Sequence, residues 1–134
     1  VKIDRYTGVE KIGRVMQPQM AEGQVQGGVA QALGQIFLEE MRYTPRDGQL
    51  LTGSFMDYAM PRAADLPWLM TDFANVPTEK NPLGVKGVGE AGSVGGLAAG
   101  MSAVLDALAQ AGVETFDMPA TPGRVWEALQ AAQG

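Results

Sequence analysis

Between Glu22 and Met41 the apolar residues fall at Val25, Val29, Leu33, Ile36 and Phe37. Steps of three and four predict one amphipathic helix over Glu22–Met41. Gly27, Gly28 and Gly34 lie inside it. Each glycine costs about 1 kcal/mol in an exposed helix, so close packing or backbone approach is the expected reason for them. A second helical run, Ala98–Ala111, carries Met101, Val104, Leu105 and Leu108, with Gly112 as its stop. Thr121-Pro122 reads as an N-cap followed by proline in the first turn. It predicts a last helix to about Ala132, with Val125, Trp126 and Leu129 facing inward.

Alternation marks the strands. Val1 and Ile3 alternate with polar residues, Tyr6-Thr7-Gly8 reads as a turn, and Val9–Val15 is expected to return as a second strand. Leu69–Val76 predicts a strand with Leu69, Thr71 and Phe73 on one face, ended by Pro77. Shorter strands are expected at Leu50–Thr52 and Val113–Met118. Pro45-Arg46-Asp47-Gly48 is a type I turn signal, and Tyr58–Pro67 is expected to be irregular. The interleaved order predicts an α+β domain over residues 1–134, a mixed sheet with two or three packed helices.

Composition narrows the chemistry. A chain of 134 residues can bury roughly two-thirds of its unfolded surface. Ten Lys and Arg against fifteen Asp and Glu leave a net charge of −5, and the basic residues form no run, which argues against nucleic acid. Cys and His are both absent, which excludes a Cys or Cys/His zinc site, an iron–sulfur cluster, a disulfide framework and a Ser-His-Asp triad. An all-oxygen metal site stays open, but no DxDxDG-type loop is present and no residue is assigned as a metal ligand. No apolar stretch approaches ~20 residues, so no transmembrane segment is expected. Val1-Lys2-Ile3-Asp4 is neither a Met start nor a signal peptide, as a fragment or processed chain would begin. The lack of cysteine fits a cytoplasmic location.

Asn81–Gly100 holds seven glycines in twenty residues, with a single acid, Glu90, and a single base, Lys86. Glycine lets a main chain approach a ligand, and exposed N–H groups can cradle an anion. Gly87, Gly89 and Gly92 satisfy the spacing G-x-G-x-x-G, but Pro82 lies close upstream and more glycines follow, so a dinucleotide fingerprint is not assigned. Glu90 reads either as a general base, if buried among its small neighbours, or as a solvent-exposed loop residue. Tyr58, Trp68 and Trp126 read as core or domain-contact aromatics, Glu39-Glu40 as a solvated pair, Asp57 as a hydrogen-bonding structural residue, and the eight methionines as core filling.

Four ordered segments carry a resemblance: Glu22-Gly23-Gln24-Val25-Gln26-Gly27-Gly28, Gly53-Ser54-Phe55-Met56-Asp57-Tyr58-Ala59-Met60-Pro61, Asn81-Pro82-Leu83-Gly84-Val85-Lys86-Gly87-Val88-Gly89-Glu90-Ala91-Gly92, and Asp117-Met118-Pro119-Ala120-Thr121-Pro122. Together they resemble the C-terminal part of the molybdopterin-binding large subunit of the xanthine dehydrogenase, aldehyde oxidase and carbon monoxide dehydrogenase family. The resemblance implies a subdomain of a larger molybdenum hydroxylase subunit, with Glu90 as general base for oxidative hydroxylation or carbon monoxide oxidation. It implies that Gln24, Gln31, Lys86, Gly87, Val88 and Gly89 line the cofactor. That cofactor would be molybdopterin in the complete enzyme, as the cytosine dinucleotide, and none would be held by this chain alone. The remaining domains of the subunit and iron–sulfur and FAD subunits are the implied partners. Two positions depart from the family pattern: Gln17 stands where Asn is usual, and Leu97-Ala98 where a Pro pair is usual. The alternative is an isolated, non-catalytic or degenerate fragment that folds and self-associates as a homo-oligomer without cofactor.

Overall fold

The computed structural model describes residues 1–134. The elements run in the order β1 (Arg5–Glu10), α1 (Pro18–Phe37), β2 (Trp68–Phe73), α2 (Ala91–Ala109) and α3 (Pro122–Gln133), with a 3-10 turn at Ala63–Asp65 before β2. The class is α+β, and the sheet consists of β1 and β2 paired in parallel, from Arg5 opposite Trp68 to Glu10 opposite Phe73. Parallel neighbours need a long crossover, and α1 lies in it. Leu69 and Phe73 turn to α1 and pack on Val25, Val29 and Leu33, while Trp68 and Met70 stand on the exposed face.

The expected hairpin near the N-terminus is corrected. β1 runs straight through Tyr6-Thr7-Gly8, and its partner is β2, about sixty residues away, rather than Val9–Val15. Helix α1 is the expected helix moved toward the N-terminus. Pro18 occupies its first turn, where a missing N–H costs nothing. At its end the amides of Leu38 and Glu39 both donate to the Gly34 carbonyl at 2.9 Å. Residues 50–52 contribute only a bridge between Tyr43 and Leu50, and 113–118 form no strand.

The largest correction concerns α2. It begins at Ala91, so Gly92, Gly95 and Gly96, three glycines expected in a loop, lie on a helix. The reason is the neighbouring helix. A Cβ at Gly28 of α1 would sit 2.8 Å from the Ser93 nitrogen, one at Gly96 2.8 Å from Ala32 Cβ, and one at Gly92 would collide with the Val25 carbonyl oxygen. Glycine here lets two helix backbones touch, and that contact outweighs its poor helix propensity. Leu97-Ala98 lies mid-helix, where proline would remove a backbone hydrogen bond.

α2 also corrects the expectation that no apolar stretch approaches spanning length. At 19 residues it is long and apolar enough to cross a membrane by length and composition. Its small residues serve packing on α1, and Val104 and Leu108 join Ile36, Val113 and Ala120 in one core cluster with Val125 and Leu129 of α3. Val25, Val29 and Leu33 form the second cluster, beneath the sheet. Trp126, expected inside, is 62% exposed. Of the methionines only Met101 packs against a core cluster, and the other seven are exposed.

Gly92→Ala is expected to cost about 2 kcal/mol or more, because the new Cβ meets backbone that cannot turn aside. Gly27→Ala faces open space on the same helix pair and is expected to add about 0.5–1 kcal/mol. Urea denaturation of both variants checks this; similar shifts for the two would refute the packing argument.

Candidate functional site

The glycine segment is pinned at three points. Gly84 adopts φ +68° and turns the chain after Asn81, whose side-chain amide donates to the Val85 carbonyl at 3.0 Å and accepts from the Val85 amide at 3.3 Å. Val85 then bridges Gly13 in antiparallel fashion; the Arg14 amide donates to the Gly84 carbonyl and the Lys86 amide to the Ile12 carbonyl, each at 3.0 Å. Gly13 has φ +76°, and a Cβ there would lie 2.5 Å from the Gly84 oxygen, so this crossing needs glycine. The third point is α1: Gln24 Nε2 donates to the Gly89 carbonyl at 2.9 Å, across 65 residues of sequence.

Between the second and third points the backbone is bare. None of the amides of Gly87, Val88, Gly89 and Glu90 donates to a backbone carbonyl. Nothing lies within 4 Å of where a Cβ would stand at Gly87 or Gly89. The segment therefore offers a short row of unpaired N–H donors with room for a flat group to approach.

Glu90 occupies the N-cap position of α2, with φ −111° and ψ 4°. Its carbonyl accepts from Val94 N and Ser93 Oγ, both at 3.1 Å. Its side chain does not cap the helix, joins neither of the chain's ion pairs, and lies exposed beside Gly87, Gly89 and Val94 in an open cleft that Glu10 also borders. The burial that would suit a general base is not supplied by these 134 residues.

The sequence candidates divide over three places. Gln24, Lys86, Val88 and Gly89 line one cavity of about 430 Å3, together with Arg14 and Gln17. Glu90 and Gly87 border the adjoining cleft, and Gly89 belongs to both. Gln31 opens instead on a separate cavity further along α1, with Gln35, Glu39 and Tyr58. There Tyr58 donates from its hydroxyl to Glu39 Oε2 at 2.6 Å, an acceptor bond that holds the phenol above its ordinary pKa. Asp57 accepts from Ser54 Oγ at 2.8 Å, the expected structural role. Arg14 was not legible as a site residue, because only the Gly13–Val85 bridge brings it to Lys86. The G-x-G-x-x-G spacing is followed by a helix but preceded only by a single bridge residue, and its third glycine, Gly92, serves the α1 contact.

Comparison with known proteins gives a consistent picture. Residues 1–67 match the family model of the molybdopterin cofactor-binding domain. The chain is 35% identical over 129 residues to the carbon monoxide dehydrogenase large chain of Hydrogenophaga pseudoflava, covering 96% of this chain and 16% of that one. It is 37% identical over 130 residues to the nicotine 6-hydroxylase large subunit of Paenarthrobacter nicotinovorans, covering 97% and 16%. Among solved structures it superposes on carbon monoxide dehydrogenase from Oligotropha carboxidovorans with a TM-score of 0.93 at 34% identity, over 98% of this chain and 16% of that chain. The chain thus spans only 16% of the length of each of these relatives.

Gln24→Ala is expected to free the Gly89 carbonyl and speed amide exchange at Ala91 and Val94, whose N–H groups donate to the Val88 and Glu90 carbonyls at 3.1 Å, with a global stability loss of only about 1 kcal/mol. Hydrogen exchange read by mass spectrometry checks it, and unchanged exchange would refute the tether. The Tyr58 phenol should ionise above the ordinary value of about 10. Its folded pKa is raised, so the Glu39 contact contributes fully below the unfolded pKa and is lost as pH rises through the folded one. Ultraviolet titration of Glu39→Gln should show Tyr58 returning toward the ordinary value.

Proposed function

The chain belongs to the molybdopterin cofactor-binding domain family, and we propose that it forms one wall of the molybdopterin site in a molybdenum hydroxylase large subunit, with Glu90 as general base. Its relatives include large chains of carbon monoxide dehydrogenase and nicotine 6-hydroxylase, so a piece of such a subunit is what the chain matches. The reading places it toward the C-terminal end of that subunit. The observation that carries it is the pairing of an unpartnered carboxylate at Glu90 with the bare, glycine-opened amide row beside it.

The donor set fits the group. A pterin presents ring nitrogens and a carbonyl, which match unpaired backbone N–H groups and an amide side chain. Gly87 and Gly89 leave the space that a planar ring needs. No Cys or His is required from this chain, because molybdopterin brings its own dithiolene sulfurs. When bound, the group supplies the metal and the two-electron chemistry.

The chain's residues bind and orient. Gln24 Nε2 is engaged with Gly89, which fixes the amide plane and leaves Oε1 free to accept. Gly87, Val88 and Gly89 donate from the backbone, and Lys86 adds a cation beside them. Glu90 Oε is the atom that takes a proton from an attacking water or hydroxyl, and the remaining domains of the subunit supply the dry surroundings. Gln31, at its separate cavity, is assigned to the far edge of the same wall. Iron–sulfur and FAD subunits would carry the electrons away in a cytoplasmic complex, and the cytosine dinucleotide form of the cofactor belongs to this same reading.

In the complete enzyme Glu90→Gln is expected to lower turnover by at least 10²-fold while molybdenum content stays equal to that of the unaltered protein. Turnover retained within a few-fold would remove Glu90 from the base role. Molybdenum lost together with activity would make it a structural residue instead.

A further inference from the structure

The cavity beside the glycine segment has a charge pattern that the base role does not use. Arg14 and Lys86 both line it, and no Asp or Glu does. In a chain with fifteen acids against ten bases, two cations without a carboxylate at one cavity stand against the average. Neither cation is spent elsewhere: the ion pairs of the chain are Arg42 with Glu40 and Arg46 with Asp47.

The backbone places the two charges together. Gly13 bridges Val85, so Lys86 stands opposite Ile12 and Arg14 opposite Gly84. Arg14 and Lys86 are then diagonal neighbours, roughly 7–8 Å apart at the backbone. Gly84 carries no side chain to come between them. The Lys86 stem is held in place over Gly13, where a Cβ would lie 3.1 Å from its Cγ. Gln17 adds an amide donor to the same cavity.

The geometry points to an anion subsite in which Arg14 and Lys86 together hold a phosphate or pyrophosphate group. An Arg fork and a Lys point charge at this separation suit tetrahedral oxyanions. The subsite deepens the cofactor reading, on which its assignment to the cofactor's own phosphate rests. Free phosphate is the other source of the same chemistry.

The test uses the complete subunit in two forms, cofactor-free from a host unable to make the pterin and cofactor-loaded, with inorganic pyrophosphate as the calorimetric probe. The cofactor-free form should bind pyrophosphate, and Arg14→Gln and Lys86→Gln should each weaken it about tenfold, with Arg14→Lys recovering part of the loss. A loaded form that no longer binds supports occupation by the cofactor's phosphate; a loaded form that still binds supports a site for free anion. Circular dichroism and melting temperature of each variant keep a folding defect apart from a binding defect. Absence of pyrophosphate binding by the cofactor-free form, or unchanged affinity in both Gln variants, overturns the subsite. If the complete subunit never carries molybdenum or pterin yet binds pyrophosphate through these residues, the cofactor reading fails and the anion subsite stands.

Discussion

Everything that matters at the candidate site depends on how closely α1 and α2 approach. Gly28 on one helix and Gly92 and Gly96 on the other remove the side chains that would hold the axes apart, and the Val25 carbonyl and the Ser93 nitrogen take up the space. Such contact depends on shape, so it fixes the register of one helix along the other as well as their distance. The register has a direct consequence. Gly92 is seated on Val25 and Val29, so the start of α2 lies beside Gln24, and the Gln24 amide meets the Gly89 carbonyl. Glu90 then emerges at the helix start with no partner of its own.

The rest of the fold supports that contact from two sides. The Val25, Val29 and Leu33 cluster ties α1 to the sheet, while Ile36, Val104 and Leu108 tie the far ends of α1 and α2 to α3. Around this double core the chain exposes large apolar residues, with Phe55 at 83%, Met56 at 94% and Trp68 at 76%. A two-stranded parallel sheet is seldom left with one face open. Both features suit a wall in a larger subunit, where neighbouring domains complete the burial and the enclosure that Glu90 lacks here.

Legibility in the sequence followed the range of each interaction. The three helices were legible because their apolar spacing is local, although α1 shifted toward Pro18 and α2 gained a full glycine-rich start. That start resembles a loop in sequence because helix propensity counts the cost of glycine and cannot count the benefit of a neighbouring backbone. β1 carries a turn-like Tyr6-Thr7-Gly8 and no hairpin signal, because its partner is parallel and distant. At the site, Glu90 and Lys86–Gly89 were legible from their motif, and Gln24 from a second one. Arg14 was not, because it reaches Lys86 only through the Gly13–Val85 bridge, seventy-odd residues away in sequence. Gln31 shares a helix with Gln24 but opens on a different cavity.

The most direct test of the central claim is an experimental structure of the complete subunit with its cofactor bound. The account predicts the Gln24 amide and the amides of Gly87, Val88 and Gly89 within hydrogen-bonding reach of the bound group, with the Glu90 carboxylate facing its metal. Finding that group elsewhere in the subunit, with this amide row covered by protein, would contradict it.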